Sequence, residues 1–229
     1  MSGGFTRLSS GHFFDRMLTI ICAEGEQHAL QHAIKKYFNI DQLSAKSVNN
    51  DPTFYFDLPN SHVEAMLSDR ISKALEMVGG KIGIGNVGSL PYQPSVATLN
   101  LSQEIIMLID LDNEINLTQS VTSTVPIYCN SVINNIRDLV AFADKINFPS
   151  QGIVLKQIVN GLTKNLKSGI LTWDLLYATV LQFSSTGTEL VAETDMRTYL
   201  NPKRMNLVEH ANALLWQKYE FLLPSTPGN

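Results

Sequence analysis

Between Glu193 and Met205 the chain reads ETDMRTYLNPKRM, which sets Glu193, Asp195, Arg197, Lys203 and Arg204 around the start of a helix. Carboxylates of this kind suit a divalent cation or proton transfer, and guanidinium groups suit a phosphate or carboxylate. If residues 193–197 are extended, alternation puts Glu193, Asp195 and Arg197 on one face and Thr194 and Met196 on the other. Ligands of α/β proteins bind at such strand ends. Asn201 is placed to cap the following helix, with Pro202 at its first position, and Arg204 then projects from the first turn, where the helix dipole favours an anion. The same residues carry a purely architectural reading: an ion pair of Asp195 with Arg197 or with Arg204 that pins the helix.

Gly83, Gly85 and Gly88 follow the G-x-G-x-x-G spacing of a dinucleotide fingerprint. That motif needs a helix directly after it, and Pro91 and Pro94 sit where it would begin. The glycines are read as a bend instead, either a plain turn or one whose free N–H groups, with Ser89, receive an anion. His28 and His32 stand at i and i+4 but enclose Ala29-Leu30-Gln31, without the glutamate that a zinc protease uses as base. Ser9, Ser10 and His12 fall in a Gly/Ser-rich opening stretch that cannot hold a catalytic geometry.

The chain has 229 residues, 44% hydrophobic and 17% charged, enough apolar side chain for one sizeable core. Its 17 basic residues against 21 acidic ones give a net charge of −4, which argues against nucleic acid as a partner. No apolar run approaches a membrane span, so no membrane partner and a cytoplasmic location are expected. Cys22 and Cys129 read as two buried thiols, neither a disulfide framework nor a metal site.

Several elements must position the charged stretch. Leu18–Ala23 reads as a buried strand and Glu26–Phe38 as a helix with an apolar stripe. Asp41–Lys46 reads as a second strand, and Phe54–Phe56 as a short extended piece between Asp51-Pro52 and Pro59. The helix from Ser61 is expected to bury Val63, Met66, Leu67, Ile71, Ala74, Leu75 and Val78 on one side and stops at Gly79-Gly80. Lys81–Gly85 reads as a strand with a loop over residues 86–94, followed by β-rich runs at Ser95–Leu101 and Glu104–Leu111. Asp112-Asn113 turns the latter into a hairpin with Ile115–Val125. Further on come a helix over Ser131–Ile146, a strand over Gly152–Lys156, a helix near Thr172–Phe183, a strand over Thr188–Glu193 and a helix to about Phe221. The expected fold is α/β: a mixed β-sheet flanked by helices, with a central β-hairpin and a C-terminal helix. Residues 18–222 are expected to form one domain, with tails over 1–17 and 223–229.

The charged stretch closely resembles the ETDMRAHMNPTRM signature of a bacterial domain family of unknown function. The likeness continues upstream: GIGNVGSLPYQP (83–94) resembles the family's GIASEGSFGPHP, EIIMLID (104–110) its E-[LI]-[LV]-x-[LF]-I-D strand, and FPSQGIVLK (148–156) its FPSHGLIVR. Lys73 falls where the family has a helix with a lysine before alanine. Val87 replaces a family glutamate, Glu26 a lysine, and Gln93 and Gln151 replace histidines. The family's Cys-rich, zinc-ribbon-like tail has no counterpart here, because four N or S ligands are missing.

The family's order of elements is similar to the fold of nucleoside-triphosphate pyrophosphohydrolases. What the resemblance implies is a phosphorylated, nucleotide-like small molecule as ligand, held by Lys73, the Gly85–Gly88 segment, Ser89, Asp195, Arg197 and Arg204. If the chain is an enzyme, the resemblance implies Mg²⁺, with Glu193 and Asp195 as candidate ligands and Asp195 as candidate catalytic residue. Loss of the glutamate and lysine implies weak or altered hydrolysis, or a non-catalytic binding or interaction protein on the same scaffold.

Overall fold

The structure, a computed structural model, describes residues 18–22, 34, 43–47, 54–56, 60–90, 102–185 and 187–222. Strands β1 (Leu18–Cys22), β2 (Leu43–Ser47) and β3 (Phe54–Phe56) precede helix α1 (Asn60–Val78), strand β4 (Ile82–Leu90) and the hairpin β5 (Gln103–Asp110) and β6 (Ile115–Thr122). Then come β7 (Asn130–Val132), α2 (Ile136–Ile146), the hairpin β8 (Ile153–Val159) and β9 (Leu162–Ile170), α3 (Trp173–Phe183), β10 (Glu189–Thr194) and α4 (Pro202–Leu222).

The fold is α/β, with the mixed sheet, the hairpin and the C-terminal helix expected from the sequence. Its strands are divided over two sheets. The first runs β2-β1-β4-β5-β6, with β3 also on β4. β1, β2 and β3 pair in parallel with their neighbours, while β4-β5-β6 is antiparallel. The second, β7-β10-β8-β9, is antiparallel throughout.

Alternation along β4 and β5 sends successive side chains to opposite faces, and each face of the first sheet meets a helix. Val63, Leu67, Ile71, Ala74 and Leu75 of α1 pack on Val87, Ile105, Met107 and Ile109. On the other face Val208, Ala211, Leu215, Trp216 and Tyr219 of α4 pack on Ile82, Ile84, Ile106 and Leu108, together with Leu18, Ile20 and Ile34. Both faces are therefore sealed, which is why β5 is buried along its whole length and reads as a continuous apolar run. Each fully buried Leu or Ile contributes about 1.5–3 kcal/mol. In the second sheet a separate core joins Leu139, Phe142, Ala143 and Ile146 of α2 and Leu176 and Phe183 of α3 to Ile153, Leu155, Leu190 and Ala192.

Local chemistry ends these elements where expected. Gly79 at φ +65° terminates α1, with the Gly80 N–H donating to the Leu75 carbonyl at 3.0 Å. Gly83 matters for packing: a Cβ there would lie 2.7 Å from Cγ2 of Ile71 and 3.1 Å from Cγ of Leu75. Gly83→Ala should accordingly force α1 off the sheet and lower stability by about 1–3 kcal/mol in chemical denaturation; an unchanged midpoint would show that α1 is not held at that distance.

Several expected boundaries are corrected. The loop expected from Asn86 is strand, because β4 continues to Leu90 with β5 on one side and β3 on the other. The Gly85–Gly88 segment is therefore no turn. The helix expected from Ser131 starts at Ile136, where Asn135, extended at φ −157°, accepts from the N–H groups of Arg137 and Asp138. Strand β9 was not anticipated: its LTKNLKSGI is polar and mostly exposed, without alternation to betray it. The expected helix over 26–38 (Ile34 apart), the run over 95–101, and His28, His32, Glu26 and Gln93 lie outside the described residues, as do both tails. Among the described residues no helix is long and apolar enough to cross a membrane.

Candidate functional site

The signature stretch leaves β10 at Thr194 and reaches α4 through a 3-10 turn at Thr198–Leu200. Asp195 stays in register with the second sheet through its backbone, its N–H donating to the Gly152 carbonyl at 2.8 Å while the Gly152 N–H donates to Leu200. This pins both ends of the turn against β8 and leaves the Asp195 carboxylate in the interior.

Four N–H groups converge on that carboxylate. The Arg197 backbone N–H and Nε donate to Oδ1 at 3.1 and 3.0 Å, and Arg197 Nη2 and the Gly169 N–H donate to Oδ2 at 2.5 and 2.9 Å. Gly169 lies at φ +70°, and a Cβ on it would stand 3.0 Å from Nη2 of Arg197. Only glycine offers its N–H there without strain or collision.

Arg197 itself is accessible, with 33% of its side chain exposed. Nη1 donates to the Tyr199 hydroxyl at 3.0 Å, and the guanidinium carbon lies 5.5 Å from the centre of the Tyr199 ring. The hydrogen bond to Asp195 is the main cause raising the Arg197 pKa further above its already high value; burial works against it. The group is a permanent, oriented cation.

Arg204 is arranged differently. Asn201 caps α4 as expected, its Oδ1 accepting from the Arg204 N–H at 3.1 Å while its Nδ2 donates to the carbonyls of Ile127 and Asp195 at 3.3 Å. The Arg204 side chain is completely buried and turns away from Asp195 into the first sheet. Nε donates to Oε2 of Glu104 at 3.0 Å, Nη2 to Oε1 at 3.1 Å, and Nη1 to the Met196 carbonyl. Asn86 completes the cluster by donating to Glu104 Oε1 at 2.6 Å. Of the two ion pairs considered from the sequence, Asp195 with Arg197 forms, and Arg204 pairs with Glu104 instead.

The remaining candidates do not join them. Lys73 lies on the outer side of α1, 67% exposed, paired with Asp69 at 2.7 Å, which raises its pKa through the hydrogen bond and charge of that carboxylate. Ser89 is buried on the α1 face of the first sheet, an odd number of residues from Asn86 and so opposite to Arg204. Gly85 and Gly88 are strand residues opposite Met107 and Glu104. Glu193 is held by Lys156 at 2.6 Å. Among the described residues no three His, Cys, Asp or Glu side chains converge as a metal site would require. The network thus rests on Asn86, Glu104, Gly169 and Tyr199, which the sequence reading had not singled out as site residues. One signal was available for Glu104, a charge set directly before the apolar run Ile105–Ile109.

Residues 70–228, which include α1 from its middle onward and both ion pairs, match the profile of the family described as a domain of unknown function (DUF6671). The chain belongs to that family. Comparison with the curated proteins finds no similar sequence. The match to DUF6671 covers α4, the second sheet and three of the six strands of the first, so Glu104, Asp195, Arg197 and Arg204 all lie inside the family domain, while β1, β2 and β3 precede it.

Proposed function

We propose that this DUF6671 chain binds a phosphate-bearing small molecule at Arg197 and Tyr199 and does not turn it over. The observation that carries this reading is the state of the Arg197 guanidinium. Nε and one N–H of Nη2 serve Asp195 and one N–H of Nη1 serves Tyr199, which leaves one donor on each terminal nitrogen of a part-exposed, immobilised fork. Two donors from one guanidinium match two oxygens of a phosphoryl group. Tyr199, 42% exposed, adds an aromatic face suited to a base. The resemblance to nucleoside-triphosphate pyrophosphohydrolases supplies the ligand class.

Mg²⁺ does not fit Asp195. A carboxylate has about four lone-pair sites, and the four N–H donors on Asp195 occupy them. Coordination would dismantle the contacts that orient Arg197. Binding without metal-dependent hydrolysis is the chemistry that remains.

Thermal melts of the full chain with ATP, ADP, AMP and inorganic phosphate, with and without Mg²⁺, test this directly. A ligand at 100 times its Kd adds about 2.7 kcal/mol, which for a chain of this size is an upward shift of roughly 5–10 °C. The shift should not need Mg²⁺ and should vanish in Arg197→Ala. No shift with any of the four sinks the binding reading. Mg²⁺-dependent pyrophosphate release that disappears in Asp195→Asn sinks the non-catalytic one.

A further inference from the structure

The open edge of the second sheet is independent of Arg197. Among the described residues β7 pairs with β10 alone, and the pattern of that pairing fixes which backbone groups face away from it. The Thr194 N–H donates to the Cys129 carbonyl at 2.9 Å and the Ile133 N–H to the Leu190 carbonyl at 2.8 Å. In an antiparallel ladder hydrogen-bonded positions alternate, so Cys129, Ser131 and Ile133 face β10 while Asn130 and Val132 turn their N–H and C=O groups away from it. Those groups are a two-rung template for another strand.

Beside this edge lies a groove of about 400 Å³ between β7 and α2. Its helical wall is Asp138, Ala141, Phe142 and Lys145, the i, i+3, i+4, i+7 stripe of one helix face. Apart from Asp138 and Lys145 the lining is uncharged, mixing Asn130, Ser131 and Asn134 with Val132, Ala141 and Phe142, and the two ends of the wall carry opposite charge. Asp138 is held through Oδ2 alone, by Asn134 and Asn135 at 3.0 to 3.3 Å, and Lys145 makes no ion pair among the described residues. Seven helical residues set the two charges about 10 Å apart; among side chains on one face of an extended segment, the i, i+4 pair, about 13 Å apart, comes nearest to that distance.

We propose that this groove takes an extended peptide segment of another protein, added as a strand on β7, with a basic side chain at the Asp138 end and an acidic one at the Lys145 end. Strand addition supplies main-chain hydrogen bonds, and the helical wall supplies selectivity. Charge argues against a second copy as occupant. The β7 of another copy, Asn130-Ser131-Val132, has no charge to offer, and its other sheet edge, β9, carries Lys164 and Lys167 and no acid, which Lys145 would repel.

Two fluorescein-labelled pentapeptides, acetyl-Arg-Val-Thr-Val-Glu-amide and acetyl-Glu-Val-Thr-Val-Arg-amide, cover both strand directions and are titrated against the full chain by fluorescence anisotropy. One should bind with Kd on the order of 100 μM, and Lys145→Glu should weaken it about tenfold. Val132→Pro deletes an outward donor without touching the β10 ladder, so binding should be lost while Tm holds. N-methylation of the peptide's central residues makes the equivalent deletion from the ligand side if that variant does not fold. The proposal is overturned if neither peptide binds by about 1 mM, or if binding ignores Lys145→Glu. It also falls if Val132→Pro folds and still binds, if the N-methylated peptide binds as well as its parent, or if sedimentation shows a dimer that Val132→Pro dissolves.

Discussion

Glu104→Ala is expected to remove about 3–5 kcal/mol of folding stability, the largest single-residue effect in the network. Both partners of the Glu104–Arg204 pair are fully buried, so the guanidinium left behind has no water to turn to. The Met196 backbone carbonyl, which accepts from Nη1, carries no charge to replace the carboxylate. Asn86 Nδ2 loses its acceptor in the same step. Urea denaturation followed by far-UV circular dichroism should show the midpoint falling with little change in slope. Replacing both members, Glu104→Leu with Arg204→Met, should recover much of the loss, because no charge is then stranded. A loss under about 1 kcal/mol for Glu104→Ala, in the range typical of exposed pairs, would contradict the burial of this bridge.

Asp195→Ala should come second, at about 2–3 kcal/mol. Four N–H groups lose their acceptor, but the cost is tempered because Arg197 is part exposed and rehydrates when released. The backbone donors of Gly169 and Arg197 do not have that freedom, and they carry most of the penalty. Asp195→Asn keeps one acceptor oxygen and should recover a part of it. Ligand-induced shifts in the melt should shrink in both variants, because Arg197 then samples many rotamers rather than one. A destabilisation below about 0.5 kcal/mol, the size of an ordinary surface substitution, would mean that the carboxylate is not the hub of these contacts.

What was legible in the sequence follows from how local each signal is. The Asn201-Pro202 start of α4, the Gly79 stop of α1 and the β5–β6 hairpin each depend on a few adjacent residues, and all form where the pattern placed them. The Asp195–Arg197 pair was legible for the same reason, being two residues apart. Glu104 and Arg204 are 100 positions apart, and no periodicity within either segment tells Arg204 to choose Glu104 over Asp195. Strand β4 misled because its glycines read as a bend, whereas three neighbouring strands hold it extended. Tertiary pairing overrode the weak strand propensity of glycine there. Lys73 was grouped with the site by likeness alone, and its place on the outer side of α1 follows from the stripe that α1 buries.

The position of α4 has a bearing on synthesis. One whole face of the first sheet, from Leu18 to Leu108, is covered by side chains between Val208 and Tyr219, and Tyr219 closes on Asp110 at 2.5 Å. At about 5–20 residues per second, the last strand of the first sheet, which ends at Thr122, is translated about five to twenty seconds before Tyr219. The second sheet, whose core lies between Ile133 and Ala192, can close in the meantime. The first must wait with Ile82, Ile84, Ile106 and Leu108 uncovered by α4 and Glu104 without its arginine, a transiently exposed apolar surface of the kind that is prone to aggregation.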